Sequence, residues 1–283
     1  MTYLEFEIPV RSWSIAEKEI LFAKMAAIGF EGFVEGEDDI QAYIDEDSFD
    51  EADMNLLIDE LEGMDIHVQF RYHQLENQNW NKEWEKKFDP VVISERVLIR
   101  APFHDAADDL ECTLIIEPKM SFGTGHHHTT KLMIREISRH SLEGMQILDM
   151  GTGTGVLGIY ASRQGATRVV GIDNDQWAYQ NALENVARNR VTNMEVRLGD
   201  ASALGKEMFH MILANITRNT LVRDMKVYVD HMRAGGLLLL SGFLAEDVQY
   251  VLNEAYRCDL KHLNTKEESN WISLLFSGQT DPR

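Results

Sequence analysis

One short stretch constrains the fold more than any other: Gln146-Ile147-Leu148-Asp149-Met150-Gly151-Thr152-Gly153-Thr154-Gly155. An apolar run of strand length passes through an acid into three alternating glycines, and a helical pattern follows over residues 156–164. Glycine reaches positive φ at little steric cost and lets backbone amides approach a ligand closely. A strand, glycine loop and helix in this order suit an open α/β sheet, where ligands bind at the carboxyl ends of the strands. The following residues keep the same rhythm. Residues 168–173, 194–198, 210–214 and 236–242 read as strands, and 175–190, 219–232 and 245–256 as helices. This alternation predicts a mostly parallel sheet with helices on both faces. Two last strands, 259–265 and 271–276, have no helix between them. They predict an antiparallel C-terminal hairpin and a seven-stranded sheet.

Ahead of this core, residues 1–73 read as a separate α+β unit. Strand 2–10, helix 14–28 with Gly29 at its C-cap, strands 30–34 and 40–44, helix 49–61 and strand 66–72 follow one another. The order βαββαβ is the ferredoxin-like arrangement. Residues 74–89 are polar and aromatic and lack glycine and proline. They predict a connecting helix that stops before Pro90, with Trp80, Trp84 and Phe88 along one face. A hairpin is expected over 91–102, which makes 90–283 the second domain.

Charge divides the chain at the same place. Of 47 acidic residues, 19 lie within residues 1–72 against four basic ones, a local net of −15 within a total of −20. Surfaces that track phosphates are basic, so direct nucleic-acid binding is not expected of this end. It suits a basic partner, or solubility alone. Two cysteines, Cys112 and Cys258, exclude a disulfide scaffold and suit a reducing compartment. No signal peptide is visible over residues 1–11, and apolar runs such as 237–240 are far too short to cross a membrane. The expected address is the cytoplasm.

Two ligand classes use such glycine loops. Gly153-x-Gly155-x-x-Gly158 fits the dinucleotide fingerprint, yet the glycine directly after the strand is Gly151. The better match is D-x-G-x-G-x-G, with Asp149 two positions before Gly151, the pattern of S-adenosylmethionine-dependent methyltransferases. An acid there favours a ligand with a cationic amino-acid end and would repel a pyrophosphate. Asp173 ends the next strand, where a carboxylate can accept from both ribose hydroxyls of either cofactor. Asp200 and Asn215 end the third and fourth strands. Asp200 could meet an adenine amino group. Asn215 could accept from a nucleophilic amine and hold its lone pair toward a sulfonium methyl. Plain cap or turn roles stay open for all three. In Ser121-Phe122-Gly123-Thr124-Gly125-His126-His127-His128-Thr129-Thr130, three adjacent histidines suggest a metal. Adjacent residues do not converge on one ion as helical i, i+4 pairs can, so no metal is expected. Thr129 and Thr130 open an amphipathic segment, which makes them candidate helix caps.

The motif set as a whole resembles the bacterial methyltransferases of large-subunit ribosomal protein L11. The resemblance rests on Asn79-Trp80-Asn81-Lys82-Glu83-Trp84, Phe122-Gly123-Thr124-Gly125, the His-x-Thr-Thr of His127, Thr129 and Thr130, Asp149 to Gly155, Gly171-Ile172-Asp173 and Ala214-Asn215-Ile216. It implies a class I, Rossmann-like catalytic domain that uses S-adenosylmethionine, preceded by a ferredoxin-like substrate-recognition domain and a linker helix. It further implies methylation of lysine side chains and of the N-terminal α-amine of a basic ribosomal protein, free or on the large subunit. Cofactor contacts are expected from Thr130, Asp149, Gly151, Gly153, Gly155, Asp173, Asp200 and Asn215, with Asn215 also catalytic. One departure stands out: the family's usual proline between the His and the two Thr is His128 here. No His/Asp dyad stands out to deprotonate a lysine, whose pKa starts near ~10.4, so positioning and desolvation are expected to carry catalysis. The rival readings are a methyltransferase of another protein or a small molecule, a non-catalytic nucleotide-binding module, and a dehydrogenase.

Overall fold

The computed structural model describes residues 2–11, 13–36, 38–75, 88–105, 110–119 and 121–279. The chain divides into two compact units, 1–87 and 88–283. Residues 76–87 carry most of the expected connecting helix, with Trp80 and Trp84, and lie outside the described residues.

The first unit contains β1 (Tyr3–Pro9), α1 (Ile15–Ala27), β2 (Gly32–Glu35), β3 (Asp39–Asp45), α2 (Glu51–Glu62) and β4 (Arg71–Gln74). Its sheet runs β2-β3-β1-β4 with antiparallel neighbours throughout. Alternation along β1 and β3 turns Leu4, Phe6, Ile8, Ile40, Ala42 and Ile44 into one core with Leu21, Met25, Met54 and Leu57 of the helices. Ser14 and Glu17 form a capping box at the start of α1, and the Asp50 side chain accepts from the Ala52 amide at the start of α2. The last strand lies later than residues 66–72. It pairs Arg71 through Gln74 with Glu7 back to Leu4. Extending that ladder would bring it to Pro9, which has no N–H to donate. Ile66 is nevertheless buried in the core.

The second unit opens with β5 (Val91–Ile93) and β6 (Val97–Arg100), the expected hairpin, and β7 (Cys112–Ile115), an unexpected strand parallel to β6. Then come α3 (His128–Ile137), β8 (Gln146–Met150), α4 (Val156–Arg163), β9 (Arg168–Asp173), α5 (Gln176–Arg188), β10 (Met194–Leu198) and β11 (Phe209–Asn215). The rest is α6 (Arg218–Asp230), β12 (Met232–Leu244), α7 (Val248–Arg257), β13 (Lys261–Glu268) and β14 (Trp271–Ser277). Seven strands form one sheet in the order β10-β9-β8-β11-β12-β14-β13. All pairs are parallel except those of β14, which runs antiparallel to both neighbours. Successive strand residues supply opposite faces. Ile147, Val169, Met211 and Leu213 join the core with α3 and α4, while Leu148, Val170, Ile212 and Leu240 join the core with α6 and α7. Strand order departs in both directions from β8 and β11, so the ends of these strands mark the switch point where such sheets bind ligands.

Candidate active site

Beyond Met150 the chain turns through Gly151 and Gly153 at φ +69° and +56°. Space as well as conformation requires glycine here. A Cβ on Gly151 would run into the Ile216 side chain, and one on Gly153 into the Phe122 carbonyl. The loop is tied down from the same side. The Thr154 amide donates to the Phe122 carbonyl at 2.9 Å, and its buried hydroxyl donates to the Gly123 carbonyl at 2.7 Å. The Phe-Gly-Thr-Gly stretch is therefore a brace for the glycine loop.

A cavity of about 570 Å³ opens beside this loop at the carboxyl ends of the strands. Gly151, Gly153, Asp173, Asp200 and Asn215 all border it, so four strand ends converge on one crevice as the sequence predicts. Asp173 accepts from the Gly153 amide at 2.8 Å through Oδ2 and from the Asp175 amide at 3.0 Å through Oδ1. Asp175, not Asp173, caps α5. Asp200 accepts from the Ser202 hydroxyl at 2.6 Å and amide at 2.9 Å, which hold its carboxyl below the usual range. Both of these bonds go to Oδ1. Asn215 Oδ1 is buried and has no hydrogen-bond partner among the described residues.

Three of the expected contacts lie elsewhere. Asp149 is not on the cavity surface. It is 1% exposed beneath the loop, where Oδ2 accepts from the Thr152 hydroxyl at 2.6 Å and the Gly158 amide at 2.9 Å. Burial pushes its carboxyl up to about 6; those two hydrogen bonds oppose the shift and the nearby Asp173 adds to it. There it fastens the glycine loop to the first turns of α4. Gly155, at φ +83°, is the N-cap of α4 and does not border the cavity. Thr130 is fully buried in the first turn of α3, its Oγ1 also without a partner among the described residues. The cap of that helix is His127, whose Nδ1 accepts from the Thr129 amide, rather than either threonine. That bond leaves Nε2 as the protonated nitrogen of the neutral ring. Burial, and then the neighbouring His128, hold His127 below the usual histidine range.

Over residues 7–279 the sequence matches the family described as Ribosomal protein L11 methyltransferase (PrmA). The chain belongs to the ribosomal protein L11 methyltransferase family. A ribosomal protein L11 methyltransferase of Phocaeicola vulgatus is 37% identical over 278 residues, covering 98% of this chain and 99% of that one. The Porphyromonas gingivalis protein of the same description is 40% identical over 267 residues, 94% of this chain and 92% of that one. The crystal structure of a ribosomal protein L11 methylase from Lactobacillus delbrueckii subsp. bulgaricus shares the fold. Its TM-score is 0.62 at 23% identity, over 68% of this chain and all of that one. As a member of the L11 methyltransferase family the chain is an S-adenosylmethionine-dependent methyltransferase, which sets the dehydrogenase reading aside.

The departure from the family motif has a clear setting. His128 is the first residue of α3, a position that favours proline because the missing N–H has no intrahelical use. A histidine lacks proline's fixed φ, but His128 Nδ1 lies 3.0 Å from Glu268 on β13, which Arg135 also holds. The three histidines take three separate partners: His126 the Asp89 carbonyl, His127 Thr129, and His128 Glu268. Sequence reasoning gave no role to Trp271, whose ring lies 4.5 Å from that of His127, or to Tyr228, which both border the cavity. Neither sits in a motif: Trp271 opens β14 and Tyr228 lies in the last turns of α6.

Proposed function

We propose that this chain transfers methyl groups from S-adenosylmethionine to amines of ribosomal protein L11, lysine side chains and the N-terminal α-amine, in the cytoplasm. The observation that carries the chemical reading is the buried, unpartnered Asn215 Oδ1 at the mouth of the glycine loop. An acceptor left without a donor in the free protein is poised to take an N–H from an incoming amine. The residues fit the cofactor. Asp173, which borders the cavity and accepts one backbone amide on each carboxylate oxygen, suits a ribose diol; Gly151 and Gly153 leave the backbone open to close approach; and Asp200 Oδ2 remains available for an adenine amino group. Asp149 and Gly155 contribute by holding the loop.

The cofactor, when bound, supplies an electrophilic methyl group. Asn215 accepts one amine N–H and so fixes the direction of the nitrogen lone pair. His127 does not serve as the base, because its Nδ1 is taken by Thr129 and its Nε2 already carries a proton. Asp200 is held ionised by Ser202 and is a poor proton acceptor. The amine therefore sheds its proton to water as it enters, and the low-dielectric mouth disfavours its charged form. Residues 1–73 act as the recognition domain for the basic ribosomal protein, residues 74–89 as the linker, and 90–283 as the catalytic domain.

The test is incubation of the purified chain with labelled S-adenosylmethionine and ribosomal protein L11, free and in large subunits, followed by mass spectrometry of the peptides. Methylated lysines and a methylated N-terminus are the expected result; an unmodified protein in both forms would refute the assignment. Asn215→Ala should lower turnover at saturating cofactor at least tenfold, and by more than it weakens cofactor binding. Turnover close to the unsubstituted enzyme would remove Asn215 from the mechanism.

A further inference from the structure

The tip of the C-terminal hairpin is clasped to the start of α3 at one end of the cavity. Glu268 and Trp271 are paired directly across β13 and β14, joined by a two-residue turn in which Ser269 and Asn270 both have positive φ. Paired residues of an antiparallel ladder project to one face, and here both side chains meet α3 and its cap. The His127 ring lies 4.5 Å from that of Trp271 and 5.0 Å from that of Phe122. The next residue, His128, places Nδ1 3.0 Å from Glu268 Oε1, and Arg135 two turns on takes Oε2. The Ala245 amide donates to the Asn270 carbonyl at 3.0 Å and fixes the main chain of the turn on the other side. Phe122, His127 and Trp271 border the cavity; His128, Glu268 and Arg135 do not.

Strand order tells which end of the cavity this is. The strand ends run from β10 and β9, beside Asp200 and Asp173, through β11 with Asn215, to β14 with Trp271. Asn215 therefore separates the carboxylates assigned to the nucleoside from the aromatic end. Displacement at a methyl carbon needs the nucleophile opposite the leaving group, so the amine and the chain that carries it belong on the side of Asn215 away from the nucleoside. We propose that His128 and Glu268 are positioning residues for the methyl acceptor: their clasp holds Trp271 against His127 as the wall along which the acceptor's aliphatic chain reaches Asn215. This rests on the amine-methylation reading given above. Neither residue touches the cavity, so both act through the two rings. A proline at position 128 would have no side-chain donor for Glu268, so the clasp belongs to this chain's departure from the family motif.

The test measures affinity for ribosomal protein L11 by calorimetry at saturating S-adenosylhomocysteine, with steady-state kinetics beside it. His128→Ala should weaken L11 binding and raise its KM about three- to tenfold, while affinity for S-adenosylhomocysteine changes by less than about twofold. Glu268→Ala opens the clasp from the hairpin side and should match it. His128→Asn keeps an N–H donor at the δ position and should restore most of the loss. Trp271→Ala should itself weaken L11 binding, and adding His128→Ala to it should cost nothing more, because the clasp then has no wall to hold. The proposal is overturned by unchanged L11 affinity in His128→Ala, by an Asn variant no better than the Ala variant, by a full extra loss on top of Trp271→Ala, or by an equal loss of affinity for S-adenosylhomocysteine. Failure of the unsubstituted enzyme to methylate L11 would instead overturn the reading beneath it.

Discussion

Asp149 and Asp173 end neighbouring strands, and their surroundings give them different work. Asp173 borders the cavity, whereas Asp149 is sealed beneath the loop with its carboxyl pushed up to about 6 by burial. A carboxyl whose folded value lies above its unfolded 3.8 favours the native state most when protonated. That contribution is complete below about pH 3.8 and is lost as pH rises through about 6. The span of about two pH units corresponds to about 3 kcal/mol. Asp149→Asn keeps an acceptor for Thr152 and Gly158 and removes the titration. Unfolding free energies of the two proteins measured from pH 4 to 8 should therefore diverge, the unsubstituted protein losing ground by roughly 2 kcal/mol as pH rises. A difference that stays constant with pH would show that Asp149 does not ionise in this way. In the sequence, an acid just before a glycine loop reads as a ligand contact. Nothing in its spacing tells whether the side chain points up into the crevice or down under the loop.

Between elements, the coupling that matters is the one from Thr154 to the 121–125 stretch. Thr154→Val keeps the shape but leaves the Gly123 carbonyl without its donor, at a cost of about 1–3 kcal/mol. Because Gly153 is packed on the Phe122 carbonyl, cofactor affinity should fall along with stability. Thermal melts with and without S-adenosylhomocysteine would show both, and a variant that loses stability while binding normally would uncouple the brace from the site. The elements themselves were legible where burial on both faces produces unbroken apolar runs. Strands 146–150, 168–173 and 194–198 have the bounds expected of them. Cys112–Ile115 was missed because four residues without a turn signal carry no period to detect. The cavity was legible only in part. Strand-end residues announce themselves by position, but Trp271 and Tyr228 reach it through packing between elements far apart in the chain.

On the scale of the whole chain, charge is the feature that tests the recognition reading. The net −15 of residues 1–72 belongs to a unit with its own core, and the residues proposed to hold the cofactor all lie in the other unit. Opposite charge chiefly speeds encounter and is screened by salt. The KM for ribosomal protein L11 should rise severalfold between about 50 and 300 mM salt, while affinity for S-adenosylmethionine changes little. Steady-state kinetics and calorimetry across that range check both halves. A KM indifferent to salt would leave the acidic face as a matter of solubility.

The position of β14 has a consequence for how the molecule is made. It lies between β12 and β13, so the third-last strand in sequence waits for the last one before its outer edge is covered. Until Trp271–Ser277 is in place, β12 offers the unpaired backbone of Leu237 to Leu240 as a free edge flanked by leucine side chains. Such an edge is a template for the wrong partner. A chain halted before Trp271 is therefore an aggregation hazard rather than merely an inactive enzyme, and the quality of its production rests on the final hairpin arriving before another chain does.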